Sequence, residues 1–575
     1  MTRFAVVGLL LFAQFSWSQC EIEPTGNLKV AKNYLAFAQF TCALDEFLIA
    51  YQEKPTSPKI NKGIAACYAG IPGKTPKAIP YLEFLLKKYK YDEEDLWILA
   101  NAYHQNHDFD KGVMIAERMI KEFKPDEEIL KNIDRLISNC KAGEELKKFP
   151  IKIEFENLGE EVNSEWDEIN PIVSEDESEI LFTTTRKGTM GGYPYMNGFV
   201  SDIFVAKAKR GKYKRPRSIG GSFNSIDIDE VAGTSPDARA LFISTDAEGY
   251  QVFNLRLSEK GERSRSFPRP LNLDGINSNS TNEHSATMNN KGDVIIFSSD
   301  REGGFGGYDL WIVRKLPTGE WSQAQNLGST INTEGNEINP RLKENEKDLL
   351  FCSEGHFNMG GFDIFESSSQ NNFQEWSEPK NLGYPINTPL DDHSIFYMHK
   401  GRVAYKAAYR SDSYGQADLY RLTFLDSTPR FTIVRLKLHT HAEDSAQVAV
   451  LSLKKDSIEL SLDSLLQVTE FSDTLAHQQA IDSVKQVVNE LEVYIASFYP
   501  DCFAEVEVTN SKTEQLYGNY KSNPIKGGVL MLLEPGQYDI SITAEGYLPI
   551  NTSLSIDDMS LFVPLKKEDH RMKRR

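Results

Sequence analysis

Positive charge is in short supply in this chain. There are 64 lysines and arginines against 83 aspartates and glutamates, a formal net charge of −19. A surface of that sign repels nucleic acid and anionic membranes, so neither is an expected partner. Histidine (10) and cysteine (6) are scarce over the 575 residues. There is no His-Glu-x-x-His pair, no Gly-x-Ser-x-Gly elbow and no Walker lysine loop, which removes the commonest metalloprotease, esterase and nucleotide-hydrolysing sites. Beyond the first residues no apolar run approaches the ~20 residues of a membrane helix. A hydrophobic content of 40% is still enough for several cores, and a chain this long suggests roughly three or four domains.

Arg3, the apolar stretch FAVVGLLLFAQF and the small residues Ser16 and Ser18 supply the charge, core and cleavage site of a secretory signal over residues 1–18. The mature chain is expected to begin near Gln19 and to be exported. A lipobox needs a small residue before its cysteine, whereas Gln19 precedes Cys20, so soluble export is favoured over lipidation. Cys20, Cys42, Cys67, Cys140, Cys352 and Cys502 all fall in the mature chain, where disulfides are permissible. Their spacing matches neither a disulfide scaffold nor a zinc site, and pairing among the first four stays open. Cys352, inside DLLFCS, reads as a buried small hydrophobe.

From Leu28 to about Gly143 apolar residues recur every three or four positions, predicting helices over 19–147. In DLWILANAYHQNHDFDKGVMIAERMIKEFKP, Leu96, Leu99, Ala100 and Tyr103 line one helix and Gly112, Ala116 and Met119 the next. This unit, closed by Pro125, resembles a tetratricopeptide repeat; two weaker copies precede it and PDEEILKNIDRLISNC follows as a cap. The resemblance implies a concave solenoid holding a peptide or protein, with Trp97 and Tyr103 as candidate contacts. His104 and His107 lack a carboxylate or cysteine partner in sequence and read as surface residues rather than metal ligands.

Beyond Phe149 the period changes. Five copies of about 55 residues open on an acidic residue and a short strand: Glu168, Glu230, Glu283, Glu337 and Asp392. Each continues with a hydrophobic strand such as VIIFSS, a loop, and a third strand beginning at Asp202, Asp309, Asp363 or Asp418 in four of the copies. A fourth strand leads into linkers such as NLGSTINT. Four short strands per repeat predict a β-propeller over 148–426, with five blades or alternatively six, whose ring is closed by the segment at 151–164. The glycine-rich SSDREGGFGGYDLW joins strand to strand and recurs, so it reads as a turn with positive-φ glycines fastened by Asp309, not as a phosphate loop. The recurring aspartates are expected to lock their loops, and the strand-opening carboxylates to hydrogen-bond the linkers; a cation ring is the alternative for the latter. The insertion GTMGGYPYMNGFV offers Tyr193, Tyr195 and Met196 as candidate partner contacts.

The last quarter, 427–566, alternates as half-buried strands do, with Tyr538, Ile540 and Ile542 on one face after Pro535-Gly536. It resembles the carboxypeptidase-regulatory-like β-sandwich, a non-catalytic module. A helical insertion is expected at about 442–500, where Ile481, Val484, Val488, Leu491 and Ile495 form one stripe, and a basic tail at 567–575. His439 and His441 alternate on one strand without a third metal ligand.

The propeller repeats, with their E-I-N-P, F-S-S-D-R and G-G-x-D-I-F elements, resemble WD40-like, TolB-type propellers. Helical repeats, propeller and sandwich in that order resemble Bacteroidota envelope proteins related to OmpA-family and type IX secretion components, here without the OmpA-type domain. That resemblance implies a periplasmic or outer-membrane-associated protein. The expectation from it is a non-catalytic scaffold that binds envelope proteins, in secretion, motility or envelope maintenance, with no cofactor and no metal. Peptidoglycan is a further candidate partner, though without an OmpA-type anchor to hold it. The alternative is a propeller-based hydrolase or carbohydrate-binding protein using the channel mouth.

Overall fold

A computed structural model describes residues 23–571 except 193, 196–197, 210, 247–251, 262–263, 265, 279, 399–400, 426–431, 440–453, 455–503, 523–527, 535, 546 and 557–564. The signal segment, Cys20, Tyr193, Met196, His441, Cys502 and the helical stripe at 481–495 lie outside the described residues. Two compact units meet at Ser427/Thr428.

The first unit begins with seven helices: α1 (Leu28–Ala36), α2 (Phe40–Glu53), α3 (Pro58–Gly70), α4 (Ile79–Lys88), α5 (Glu93–Gln105), α6 (Phe109–Phe123) and α7 (Glu127–Lys148). Local chemistry sets their ends. Asp92 and Asp95 form a reciprocal capping box on α5, and Asp126 caps α7 through the Ile129 amide. Gly112 lets α6 approach α7, since a Cβ there would sit 3.0 Å from the Cys140 sulfur.

These helices are not the solenoid expected from the repeat resemblance. The second copy is broken after Gly70, where the chain turns through a 3₁₀ segment at Thr75–Ala78 before the short α4. The helices also belong to the same compact unit as the sheets. His104 is buried, its Nε2 2.7 Å from the Met359 carbonyl, and Asn139 donates to the Gly360 carbonyl at 2.5 Å. His107 stacks edge-on against Tyr384, and Gly73 packs on Tyr409. The two histidines are therefore docking residues, not surface ones.

Five antiparallel sheets follow and form a β-propeller. Their innermost strands are Glu168–Val173, Asp229–Thr234, Glu283–Met288, Glu337–Leu342 and Ile395–Met398. Blades 1 to 5 are numbered in that order. Ile153–Asn157 pairs with Asp418–Phe424 as the outer strand of blade 5, so the ends of the region close the ring. Hydrophobic faces meet between blades: Phe182, Phe204, Ile243 and Tyr405 in one cluster, Phe297 and Trp311 with Phe242 in the next, Phe351 and Phe365 with Ile312 in a third.

One linker asparagine per blade acts as an extra ladder rung. Asn163, Asn224, Asn277, Asn332 and Asn387 each accept from a third-strand amide (Leu419, Ile203, Leu255, Leu310, Ile364) and donate to the same residue's carbonyl. A carboxamide presents the donor and acceptor of a peptide group, which suits the asparagine of each linker to that rung.

The second unit has two sheets over one core. Thr432–His439 lies between Gly528–Leu533 and Leu565–Arg571; Glu505–Asn510 lies between Leu516–Lys521 and Gly536–Thr543, which also pairs with Ile550–Ile556. Val434, Leu436, Val508, Met531, Tyr538 and Ile542 fill the space between them. The basic ending departs from the expected tail: its first part is the strand Leu565–Arg571, parallel to Thr432–His439, the strand that carries His439. Cys42 is disulfide-bonded, whereas Cys67, Cys140 and Cys352 are buried free thiols.

Candidate functional site at the channel mouth

The strand-opening carboxylates are buried and bonded inside their own blades. Glu168 accepts from the Ser164 amide, Thr184 and Arg186; Glu283 from the Ser278 amide, Ser299 and Arg301; Asp392 from the Thr388 amide and Lys406. Glu337 accepts from Thr333 and Ser353. In blade 2 this place belongs to Asp229, which accepts from the Ser225 amide, Thr245 and Arg256. Glu230, singled out from sequence, is one residue out of register with the other four.

The loop-locking aspartates take a second repeated arrangement. Asp309 accepts from the Phe305 and Gly306 amides and from Asn326; Asp363 from the Met359 and Gly360 amides and Asn381; Asp418 from the Tyr414 and Gly415 amides and Asn157. Asp202 accepts from the Met190 amide, and burial pushes its pKa up to about 6. In the GGFGG loop only Gly303 has a positive φ, 92°. Gly306 is needed for a different reason: a Cβ there would sit 2.0 Å from the Gly335 carbonyl oxygen of the linker. Close approach, more than the turn, explains the glycines.

Successive side chains of a strand point to opposite sides. With the carboxylates turned into the blades, the next residue is Ile169, Glu230, His284 or Ile338 in the inner strands of blades 1 to 4, and His393, two residues ahead of the inner strand, in blade 5. Glu230, His284 and His393 are half-buried and come from blades 2, 3 and 5. Glu230 and His284 lie close enough for their charges to interact, and so do His284 and His393, although their blades are not adjacent. That proximity puts all three on the lumen, at the end where the loops between second and third strands emerge.

The surroundings are aromatic and acidic. Phe253 and Tyr308 stand edge-on to His284 at 6.1 and 6.0 Å, and Phe362 lies 5.3 Å from His393. Ser201 donates to Glu230 at 3.1 Å. Burial lowers the pKa of both imidazoles; Glu230 partly offsets this at His284, and Asp391 does so at His393 against the Lys406 charge. Both are thus neutral near pH 7. The Nδ1 of His284 is sealed from solvent and has no hydrogen-bond partner among the described residues. A neutral imidazole beside a carboxylate, reached by water and flanked by aromatic faces, is a general acid–base arrangement. Among the described residues no three His, Cys, Asp or Glu side chains gather to hold a metal ion.

The other sequence candidates are placed elsewhere. Tyr103 is buried, with its hydroxyl on Glu83 at 2.6 Å, and Trp97 is half-buried on α5. Tyr195 lies in the short strand Pro194–Tyr195 of the blade 1 insertion. Sequence reasoning missed His284 and His393. The available signal was the alignment of the five repeats one residue past the carboxylate, and the adjacent acids Asp229 and Glu230 concealed it.

No protein-family model matches the sequence and no curated protein matches it, which lends the tetratricopeptide, TolB-type and regulatory-module resemblances no support. Solved structures do resemble it. The BT0996 complex with RGII aligns at TM-score 0.34 and 12% identity, covering 48% of this protein and 92% of that one. An α-L-arabinofuranosidase from Clostridium thermocellum aligns at 0.29 and 11%, covering 44% and 87%. A puromycin-hydrolysing peptidase from Mycobacterium tuberculosis aligns at 0.23 and 10%, covering 48% and 37%. At these values no residue role or substrate passes to this protein. Hydrolases are nevertheless among the proteins it is similar to, and the structure gathers a carboxylate and two imidazoles where the sequence showed no constellation. The similarity carries no argument about role; it is the gathered carboxylate and imidazoles that correct the expectation of a scaffold without chemistry.

Proposed function

We propose that the protein is a propeller-based hydrolase acting on carbohydrate at the channel mouth. The observation that carries this reading is the convergence of Glu230, His284 and His393 from three blades onto one water-accessible lumen. Neutral His284 takes the proton of the attacking water, the Glu230 carboxylate stabilises the imidazolium, and the imidazolium returns the proton to the leaving group. The rings of Phe253, Tyr308 and Phe362 supply the flat apolar faces on which a sugar ring rests. The N-terminal leader supports the further reading that this chemistry takes place outside the cytoplasm, which fractionation of cells carrying the tagged protein tests.

The test is a panel of oligosaccharides and aryl glycosides, run beside a glycan array. Turnover of one class is expected, with His284→Ala lowering kcat by roughly 100-fold or more and leaving the melting temperature within a few degrees, since its sealed Nδ1 makes no hydrogen bond to the described residues. Absence of both turnover and glycan binding, or full activity in His284→Ala and Glu230→Gln, would overturn the proposal.

A further inference from the structure

Deeper in the same channel, Arg341 is a cation without an anion. It sits on the inner strand of blade 4, three residues past Ile338 across a bulge at which the pairing moves from Cys352 to Leu350, so that it stays on the lumen side roughly 7 Å further along than the mouth residues. Among the described residues no carboxylate pairs with it and no acceptor takes its hydrogen bonds; its guanidinium lies 3.7 Å above the Phe396 ring. Burial is the one influence on its charge. The equivalent positions of the other blades are Ile172, Gly233, Thr287 and Phe396, so nothing at this level of the ring answers it.

The space beside it is shaped for a small ligand. A cavity of about 40 Å³ has mostly apolar walls, with Arg341, Asn170, Asn339 and Ser394 as their polar members. One water needs ~10–15 Å³ on this measure, so the cavity takes about three heavy atoms, the size of a carboxylate group. The Ser394 hydroxyl is buried without a hydrogen-bond partner among the described residues. Asn339 and Asn170 have their amides committed to the carbonyls of His393 and Val231, which holds the walls rigid. A half-buried guanidinium without a carboxylate partner is only partly hydrated, and a bidentate oxyanion is the group that completes its hydrogen bonds.

We propose that the lumen is a carboxylate-binding site in which Arg341 grips both oxygens and Ser394 donates to one of them. The site does not rest on the hydrolase reading, because binding is read without turnover. Its chemistry is met either by a free small carboxylate or by the acid group of a uronic sugar whose ring extends toward the mouth.

Thermal melts and calorimetry of the full mature chain with sodium acetate and sodium glucuronate, against sodium chloride and glucose, test it. The expected result is a saturable rise in melting temperature with a carboxylate, with affinity weakened roughly 10-fold or more in Arg341→Met and less in Arg341→Lys. Arg341→Met roughly keeps the volume and removes a half-buried charge that no carboxylate pairs with, so it is expected to fold; Ser394→Ala gives a gentler second variant, weakened severalfold. Binding of acetate alone supports a free carboxylate, and binding of glucuronate alone supports the sugar acid. No saturable rise beyond the chloride and glucose controls, or the same rise in Arg341→Met, would overturn the proposal.

Discussion

Four of the five blades give their buried strand-opening carboxylate a cation, and one does not. Arg186 meets Glu168 at 2.8 Å, Arg256 meets Asp229 at 2.6 Å, Arg301 meets Glu283 at 3.1 Å and Lys406 meets Asp392 at 2.6 Å. In blade 4 the arginine position is Gly355, and His356 instead takes the linker carbonyl of Ile331 at 2.9 Å. Among the described residues Glu337 keeps only Thr333 and Ser353 as donors, and burial pushes its pKa up to about 7 from an ordinary 4.5. A group whose folded pKa is raised contributes stability that is complete below pH 4.5 and is lost as pH rises through 7. That loss is about 3 kcal/mol. Glu337→Gln removes the titration while forfeiting about 1–2 kcal/mol of hydrogen bonding to Thr333 and Ser353. Urea unfolding followed by tryptophan fluorescence should therefore find the variant about 1–2 kcal/mol less stable than the parent at pH 4.5 and about 1 kcal/mol more stable at pH 8. Glu283→Gln, which strands Arg301, should instead lose up to about 3 kcal/mol at pH 8. Parallel stability–pH curves for the parent and Glu337→Gln would refute the reasoning.

Three further outcomes are expected. Gly306→Ala forces a Cβ against the Gly335 carbonyl and should cost about 2–4 kcal/mol; Gly303→Ala, open except for Trp311 at 3.8 Å, should cost about 1 kcal/mol for its φ alone, and denaturant midpoints rank the two. Burial lowers the His104 pKa to about 4 from 6.5, so its contribution is complete above pH 6.5 and is lost as pH falls through 4, a change of about 3 kcal/mol; His104→Gln should flatten the melting temperature between pH 7 and 4.5. If His284 is the base, the acid limb of kcat/KM lies below pH 6.5, and Glu230→Gln moves it further down because the Glu230 charge is what raises His284; a limb unmoved by that substitution would remove Glu230 from the role.

What the sequence makes legible is what repeats. Each blade must seat one carboxylate at the start of its inner strand, and most lock a loop with an aspartate at the start of the third, so the propeller pattern is written in residue types at fixed spacing. What is made once is not legible in this way. Asp229 and Glu230 are chemically equivalent in a single sequence, and only the pairing of Thr245 with Asp229 across the blade decides which is buried and which faces the lumen. His104 and Asn139 look like surface residues because they are polar, yet they are buried against carbonyls of a propeller loop more than two hundred residues away in sequence. The solenoid expectation fails for the same reason: helical periodicity reports that one face is buried, not what buries it. Arg341 makes the point most sharply. A lone arginine in a strand reads as an exposed residue until the ring closes around it, and its significance lies in what no blade supplies, an acid to pair with it. The chemistry of this protein is therefore sought where the repeats differ, at the equivalent positions one residue past each carboxylate, which carry Ile, Glu, His, Ile and His, and at the level below, which carries a single unanswered Arg.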